Sequence, residues 1–309
     1  NNAFDCHSSN HNNVSITATL SFPSSLQYIG YGAFWKQSIT SISGMGATKI
    51  YEVGTCAFNG CSSLTGKIDI PNKIARIGTW AFKDCSKITS LNINADSSRN
   101  YTCSIGTGAF LNCSSLTGRL LIPSYVDCIN DEAFYNTKFS KDSSNILYSS
   151  GEDIGYSKWC IGIVNSTEVP TIKDLPIDNG TVGIAGGAFK GYQNLSSVTF
   201  IGANAKYIGP SAFKSCVNLS SIQLSSDLEG IYHYAFDSCT SLTEIPFNVV
   251  NNPKLKFIGN FAFNNCTNMK GSVQIGDNVS TLGGGAFSGC KNVIEAIITG
   301  TDNLVIGDR

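Results

Sequence analysis

Charge is scarce in this chain of 309 residues: Asp, Glu, Lys and Arg make up 14% of it, against roughly 25% in an average soluble domain. Ser, Thr, Asn and Gly supply the polar surface instead. The formal net charge is −1 and there is no basic block, which argues against a nucleic-acid partner, since that would need a cationic footprint. Long apolar runs are missing too: none approaches the ~18 residues of a membrane span. Histidine is rare, with His7, His11 and His233. His7 and His11 lie beside Cys6, but no fourth ligand is suggested and the stretch reads as a polar loop. No G-x-S-x-G, H-E-x-x-H, P-loop or G-x-G-x-x-G occurs. Neither C-x-x-C pairs nor a D-x-D-x-D-G calcium loop occurs either. The chain therefore reads as non-enzymatic, with no cofactor and no metal.

What is present is a repeat. The phrase Ile77-Gly78-Thr79-Trp80-Ala81-Phe82-Lys83-Asp84-Cys85 recurs along the whole chain. Ala-Phe pairs end at Phe4, Phe34, Phe58, Phe82, Phe110, Phe134, Phe189, Phe213, Phe236, Phe263 and Phe287, spaced by 30, 24, 24, 28, 24, 55, 24, 23, 27 and 24 residues. A period near 24 is that of a solenoid, in which each unit buries its apolar face against its neighbours. Between the phrases runs a second pattern. Leu64, Ile68, Ile70, Pro71, Ile74 and Ile77 have the same spacing as Ile16, Leu20, Phe22, Pro23, Leu26 and Ile29. Apolar residues two apart predict a short strand with one buried face, and the proline after them ends it. Gly after Ile is expected to permit a turn, and the x-x-Ala-Phe-x-x-Cys segment is expected to be a short helical turn with Phe filling the rung.

These residues carry a resemblance. Segments such as Cys61-Ser-Ser-Leu-Thr-Gly-Lys-Ile-Asp-Ile-Pro-Asn-Lys-Ile-Ala-Arg-Ile-Gly are similar to the BspA-like (Treponema pallidum type) leucine-rich repeats. That family's pattern is roughly C-x-x-L-x-x-(x)-I-x-I-P-x-x-V-x-x-I-G-x-x-A-F. The pattern covers nearly the whole chain and departs from it at Asn130, Ala185 and Tyr232, where Gly is replaced, and at Gln37, Thr137 and Tyr192, where Cys is replaced. The expected fold is an α/β repeat solenoid over residues 1–309: a leucine-rich-repeat stack of about ten to eleven rungs, each a short strand plus a short helical or irregular turn. At ~4.8 Å per rung the stack would run on the order of 50 Å. The resemblance implies a role in adhesion, at the cell surface or outside the cell.

Seven cysteines (Cys61, Cys85, Cys113, Cys216, Cys239, Cys266, Cys290) share one repeat position and read as a buried column of thiols. Cys6, Cys56, Cys103, Cys128 and Cys160 stand off that column and are the better disulfide candidates. The irregular segment 138–180 lengthens one gap by about 31 residues. It holds Tyr148, Tyr156 and Trp159, which either pack inward as an irregular rung or form a protruding binding loop, since Trp and Tyr dominate hot spots. The outward strand positions include Lys67, Asp69, Asn92, Arg119, Thr199, Gln223, Glu244 and Gln274. They form either a solvated polar sheet or a face for protein or glycan ligands. Nine N-x-S/T sequons occur, among them Asn13, Asn100 and Asn165, a number that weighs little in so Asn- and Ser-rich a chain.

The ends suggest another class of function. The chain opens with Asn1-Asn2 in mid-phrase at Ala3-Phe4 and stops just after Ile306-Gly307, so its ends are complementary half-repeats. Three readings stand: a piece of a longer chain, a capped solenoid whose caps are unrecognised, or a subunit that assembles head to tail into a filament.

Overall fold

Two-residue alternation in Lys67-Ile68-Asp69-Ile70 produces the expected strand. Ile68 and Ile70 are buried, while Lys67 and Asp69 face outward. The computed structural model describes residues 17–96, 98, 101–142, 146–151, 154–164, 171–202, 204–248, 250–299 and 304–308. They fall into two compact units. The first comprises Asn1–Ser143, Leu147–Ser157 and Val164–Glu168; the second comprises Ser144–Ile146, Lys158–Ile163 and Val169–Arg309.

In both units three lines of parallel backbone pairing run from rung to rung, the front one interrupted between its sheets. The front line is made by the I-x-I segments. In the first unit it pairs Thr19–Ser21 with Ser41–Ser43, Gly66–Ile70 with Ile88–Ile93, and Thr117–Gly118 with Lys138–Phe139. In the second it is a sheet of Asp174–Ile177, Ser197–Phe200 and Ser221–Gln223, followed by the pair Lys270–Ile275 and Asn292–Ile298. The back line is made by the Ile-Gly segments. It has five strands in the first unit, from Tyr28–Ile29 to Val126–Ile129, and seven in the second, from Lys158–Gly162 to Val305–Ile306. That is more than the expected ten or eleven rungs, because Lys158–Gly162 and Val305–Ile306 each add a strand without an Ala-Phe phrase following it.

The third line corrects the expected helical turn. Among the described residues the sole helix is a short 3-10 segment, Met45–Ala47, so the architecture is a β-solenoid in each unit. The Ala-Phe segment is a chain of tight turns. At Phe34, Phe58, Phe82, Phe110, Phe189, Phe213, Phe236 and Phe263, the residues two before, at, and two after the Phe donate their N–H groups to the next rung: Gly32 to Thr55 O at 2.9 Å, Phe34 to Ala57 O at 2.7 Å, and Lys36 to Asn59 O at 2.8 Å. The same three bonds link Gly187, Phe189 and Gly191 to Pro210, Ala212 and Lys214. All thirteen described non-glycine residues with left-handed φ, between 53° and 63°, stand two before or two after a repeat Phe. Each such residue costs about 1 kcal/mol relative to ordinary backbone, a cost offset by the hydrogen bonds that this conformation directs at the neighbouring rung.

Inside this frame the phenylalanines form ladders. Phe34, Phe58, Phe82, Phe110 and Phe134 stack with centroids 5.0 to 5.5 Å apart in the first unit. Phe189, Phe213, Phe236, Phe263 and Phe287 repeat the arrangement in the second, also at 5.0 to 5.5 Å. These separations lie in the favourable range for offset rings. Beside each ladder runs the cysteine column. Every column thiol donates to the carbonyl of a Phe in the preceding rung, as Cys61 does to Phe34 O at 3.0 Å and Cys239 to Phe213 O at 3.1 Å. Thr137 takes over this role toward the carbonyl of its own rung's Phe134, at 2.8 Å. Cys56, Cys103, Cys128 and Cys160 are also buried thiols and not disulfides, so the expectation for these four is corrected. Cys6 lies outside the described residues.

The Ile-Gly glycines also have a different role from the one expected. Their φ is ordinary; what they need is space. A Cβ on Gly78 would stand 2.5 Å from Thr55 N and 2.6 Å from Gly54 C, and one on Gly283 would stand 2.2 Å from Asn260 N. By contrast, Gly30 has no described rung before it, and its nearest neighbour would be the Tyr28 ring at 3.6 Å. Gly78→Ala is therefore expected to destabilise the fold by about 3 kcal/mol or more, by overpacking against backbone that cannot yield, whereas Gly30→Ala should cost under about 1 kcal/mol. Urea melts of the two variants check this.

Burial makes stability depend on alkaline pH. It pushes the Cys113 and Cys216 thiols from the ordinary 9.0 up to about 12. A raised pKa means that the folded state holds its proton more tightly. The resulting stability is complete below pH 9 and is lost as pH rises toward 12. Urea midpoints measured across that window should fall, and the Cys113→Ala, Cys216→Ala double variant should flatten the slope.

Candidate recognition face

The first unit gathers three of the expected surface residues. Strand alternation turns Lys67, Asp69 and Asn92 outward, and the parallel register sets Asp69 opposite Asn92. Lys67 Nζ lies 2.7 Å from Asp69 Oδ1, and Asn92 Nδ2 donates to Asp69 at 3.0 Å and to Asn94 at 2.6 Å. These side chains line a shallow recess of about 390 Å³ together with Met45 and Gly46. Their polar groups are largely satisfied by one another. Arg119, on the same front line, bonds Ser150 Oγ.

The second unit presents a different surface. Thr199 and Gln223 are exposed and directly paired in the front register. The next rung breaks the sheet. Pro246 stands where Gln223 stands in the preceding repeat, and it has no N–H to offer. On the front line, the last backbone bond between these rungs among the described residues is Thr243 N–H to Ser220 O, at 3.4 Å, and Glu244 meets the following rung through a single bridge to Lys270. A groove of about 990 Å³ opens there, lined by Thr199, Gln223 and Glu244 among others. The side chains of these three have no hydrogen-bond partner among the described residues. Gln274 lines a separate recess of about 440 Å³ with Asn248, Asn251, Lys270 and Ser272.

Sequence reasoning missed the wall of this groove. Asn248 Oδ1 accepts the N–H groups of Val250 and Asn251 at 2.9 and 2.7 Å, closing a side-chain turn. Asn252 is buried and donates to Ser225 O at 2.8 Å. The signal was present in the sequence as a spacing of 27 between Phe236 and Phe263, with Pro246 ahead of it.

The aromatics of the insertion are not brought to one surface. Tyr148, in the strand Leu147–Tyr148, and Tyr156, bridged to Pro123, are half-buried in the first unit. Trp159 belongs to the second unit and is fully buried, stacked on Tyr207 at 6.4 Å. Its ring covers Gly183, whose Cβ would meet it at 2.5 Å. Trp159 is thus a packing residue in place of the surface anchor considered from sequence. At the other end, Ile306 is exposed, and Gly307 N–H bonds Leu282 O at 2.8 Å. Ala3 and Phe4 lie outside the described residues. Among the described residues no group of three or more His, Cys, Asp or Glu could hold a metal ion, and no helix is long and apolar enough to cross a membrane.

Stacked parallel rungs with an Ile, Phe and Cys column define leucine-rich-repeat architecture. The model of the BspA type leucine rich repeat region (six copies) matches residues 5–103, 47–156, 167–294 and 248–306, and the chain belongs to that family. Three solved structures illustrate the likeness. A leucine rich cell surface protein from Faecalibacterium prausnitzii is 21% identical with a TM-score of 0.46, over 93% of this chain and 89% of its own. A leucine rich repeat protein from T. pallidum is 23% identical with a TM-score of 0.44, over 54% and 86%. The pneumococcal vaccine antigen PcpA is 19% identical with a TM-score of 0.38, over 94% and 68%. No curated protein matches the chain.

Proposed function

We propose that this chain is a non-enzymatic recognition module of the adhesion type, secreted or displayed at the cell surface, that takes protein or glycan ligands on its front face. The observation that supports this most directly is the second unit's groove, where Thr199, Gln223 and Glu244 project polar atoms that the described residues leave unused. Repeat proteins commonly bind through such extended ribbed faces. The self-satisfied cluster at Lys67, Asp69 and Asn92 is the weaker part of the same face, because a ligand there must first break the Lys67–Asp69 pair. In a binding screen against extracellular-matrix proteins and glycans, Thr199→Arg and Gln223→Arg should weaken the retained ligands at least tenfold. Unchanged affinity for every ligand would sink the reading.

A second reading, head-to-tail assembly, is favoured by one feature. Ile298, Val305 and Ile306 are 45%, 62% and 59% exposed, whereas Ile231 and Ile258, which occupy the Ile306 position in earlier rungs, are wholly buried. A rung from a second copy would cover them. Sedimentation of the native chain at rising concentration should then show assemblies that Ile306→Asp abolishes, and a wild type that stays monomeric throughout rules this reading out.

A further inference from the structure

We propose that the groove over Ser197–Phe200, Ser221–Gln223 and Glu244–Pro246 is a binding site for a neutral oligosaccharide. This inference rests on the recognition reading above and gives its ligand a chemical class. The strands that form the floor are given by the pairing of Ser197–Phe200 with Ser221–Gln223.

The lining is what selects the ligand. Thr199, Ser221, Gln223 and Asn251 offer hydroxyls and amides, Glu244 is the one charged side chain, and no Lys or Arg is among the lining residues. Hydroxyl and amide groups both donate and accept hydrogen bonds, and so does every hydroxyl of a sugar. A sulfated, sialylated or uronic-acid chain would meet the Glu244 carboxylate, and like charges at close range repel; Lys270, bridged to Glu244 from the next rung, lines the adjoining recess and not this groove. A protein epitope of ordinary kind seats an apolar or Arg anchor in a well-packed pocket, whereas this surface is mainly polar. The apolar contribution comes from Val250, which is exposed, and from Phe200, Ile245 and Pro246, which are half-buried; the Phe200 ring can pack against the C–H face of a pyranose.

Size and rigidity agree with this assignment. About 990 Å³ is at the upper end of small-ligand sites, which run roughly 300–1,000 Å³, and so holds more than one sugar ring. The wall residues Asn248, Asn251 and Asn252 are held by the side-chain turn at Asn248 and by the buried Asn252, which donates to Ser225 O. A ligand entering the groove therefore has little loop to order, and preorganisation of this kind improves affinity.

The test uses the full chain on a printed array of neutral and acidic glycans, followed by calorimetric titration with the neutral oligosaccharides that bind and with trigalacturonate. Binding is expected for neutral glycans and absent for trigalacturonate. Thr199→Val and Gln223→Ala should each weaken it at least tenfold while leaving the thermal midpoint unchanged, since both side chains are exposed. Glu244→Lys should admit trigalacturonate. The inference is overturned if no neutral glycan binds, if acidic glycans bind the wild type equally well, or if neutral binding survives both groove variants. In any of these cases, a protein ligand displaced by Thr199→Arg would still uphold the recognition reading, so the two fail separately.

Discussion

Everything in this molecule follows from the separation of neighbouring rungs. Rungs come within hydrogen-bonding distance of one another along the back and turn lines and, in part, along the front line, and the turn line is the most demanding. There the backbone must aim every second N–H at the neighbour, which requires left-handed residues on both sides of each Phe. There too the Ile-Gly step passes so close to the preceding rung that a methyl group does not fit. Gly at this step, the alternating backbone and the stacked rings are three responses to one spacing. Asn130 shows how a departure is accommodated: its backbone N–H and its side-chain amide both bond Ile105 O, at 2.9 Å each.

The side chains inside then have little freedom. A ring that must repeat at the rung spacing settles into an offset stack, and a small group that must fill the remaining space beside it is best a thiol. The thiol also bonds a Phe carbonyl. Burial raises most of these thiols and makes them poor nucleophiles. The column is therefore structural, despite a cysteine count that in a small secreted domain would indicate cross-links.

Much of this was legible in the sequence. The Phe period, the I-x-I strands and the cysteine column follow from chemistry that each rung must repeat. The conformation of the Ala-Phe turn was not legible, because its left-handed positions carry Lys36, Trp80, Glu132 and Phe261 as readily as Gly. Local propensity says helix there, and the bonds from the next rung override it. For Trp159 the sequence left inward packing and a binding anchor both open, and the structure gives the first: a glycine beneath it, Gly183, makes room for the ring to lie flat and be covered. The groove was half legible. Thr199, Gln223 and Glu244 were recognisable as outward positions, but the opening between them depends on a missing N–H at Pro246 and on a lengthened loop whose trace in the sequence is only the spacing of 27 between Phe236 and Phe263.

The likeness of one rung boundary to the next has a genetic consequence. At Phe58, Phe82, Phe213 and Phe236 the same ring stacks on the same ring, and the same N–H meets the same carbonyl. A duplication or deletion of one whole repeat in the coding sequence would join surfaces that already match, so it would change the number of rungs without creating a foreign junction. An in-frame change of any other length would have to be absorbed by a loop, as between Phe236 and Phe263. Recombination within such a gene therefore offers a supply of folded variants of different lengths, while the groove around Pro246 is a feature of one repeat and would be copied or lost as a unit.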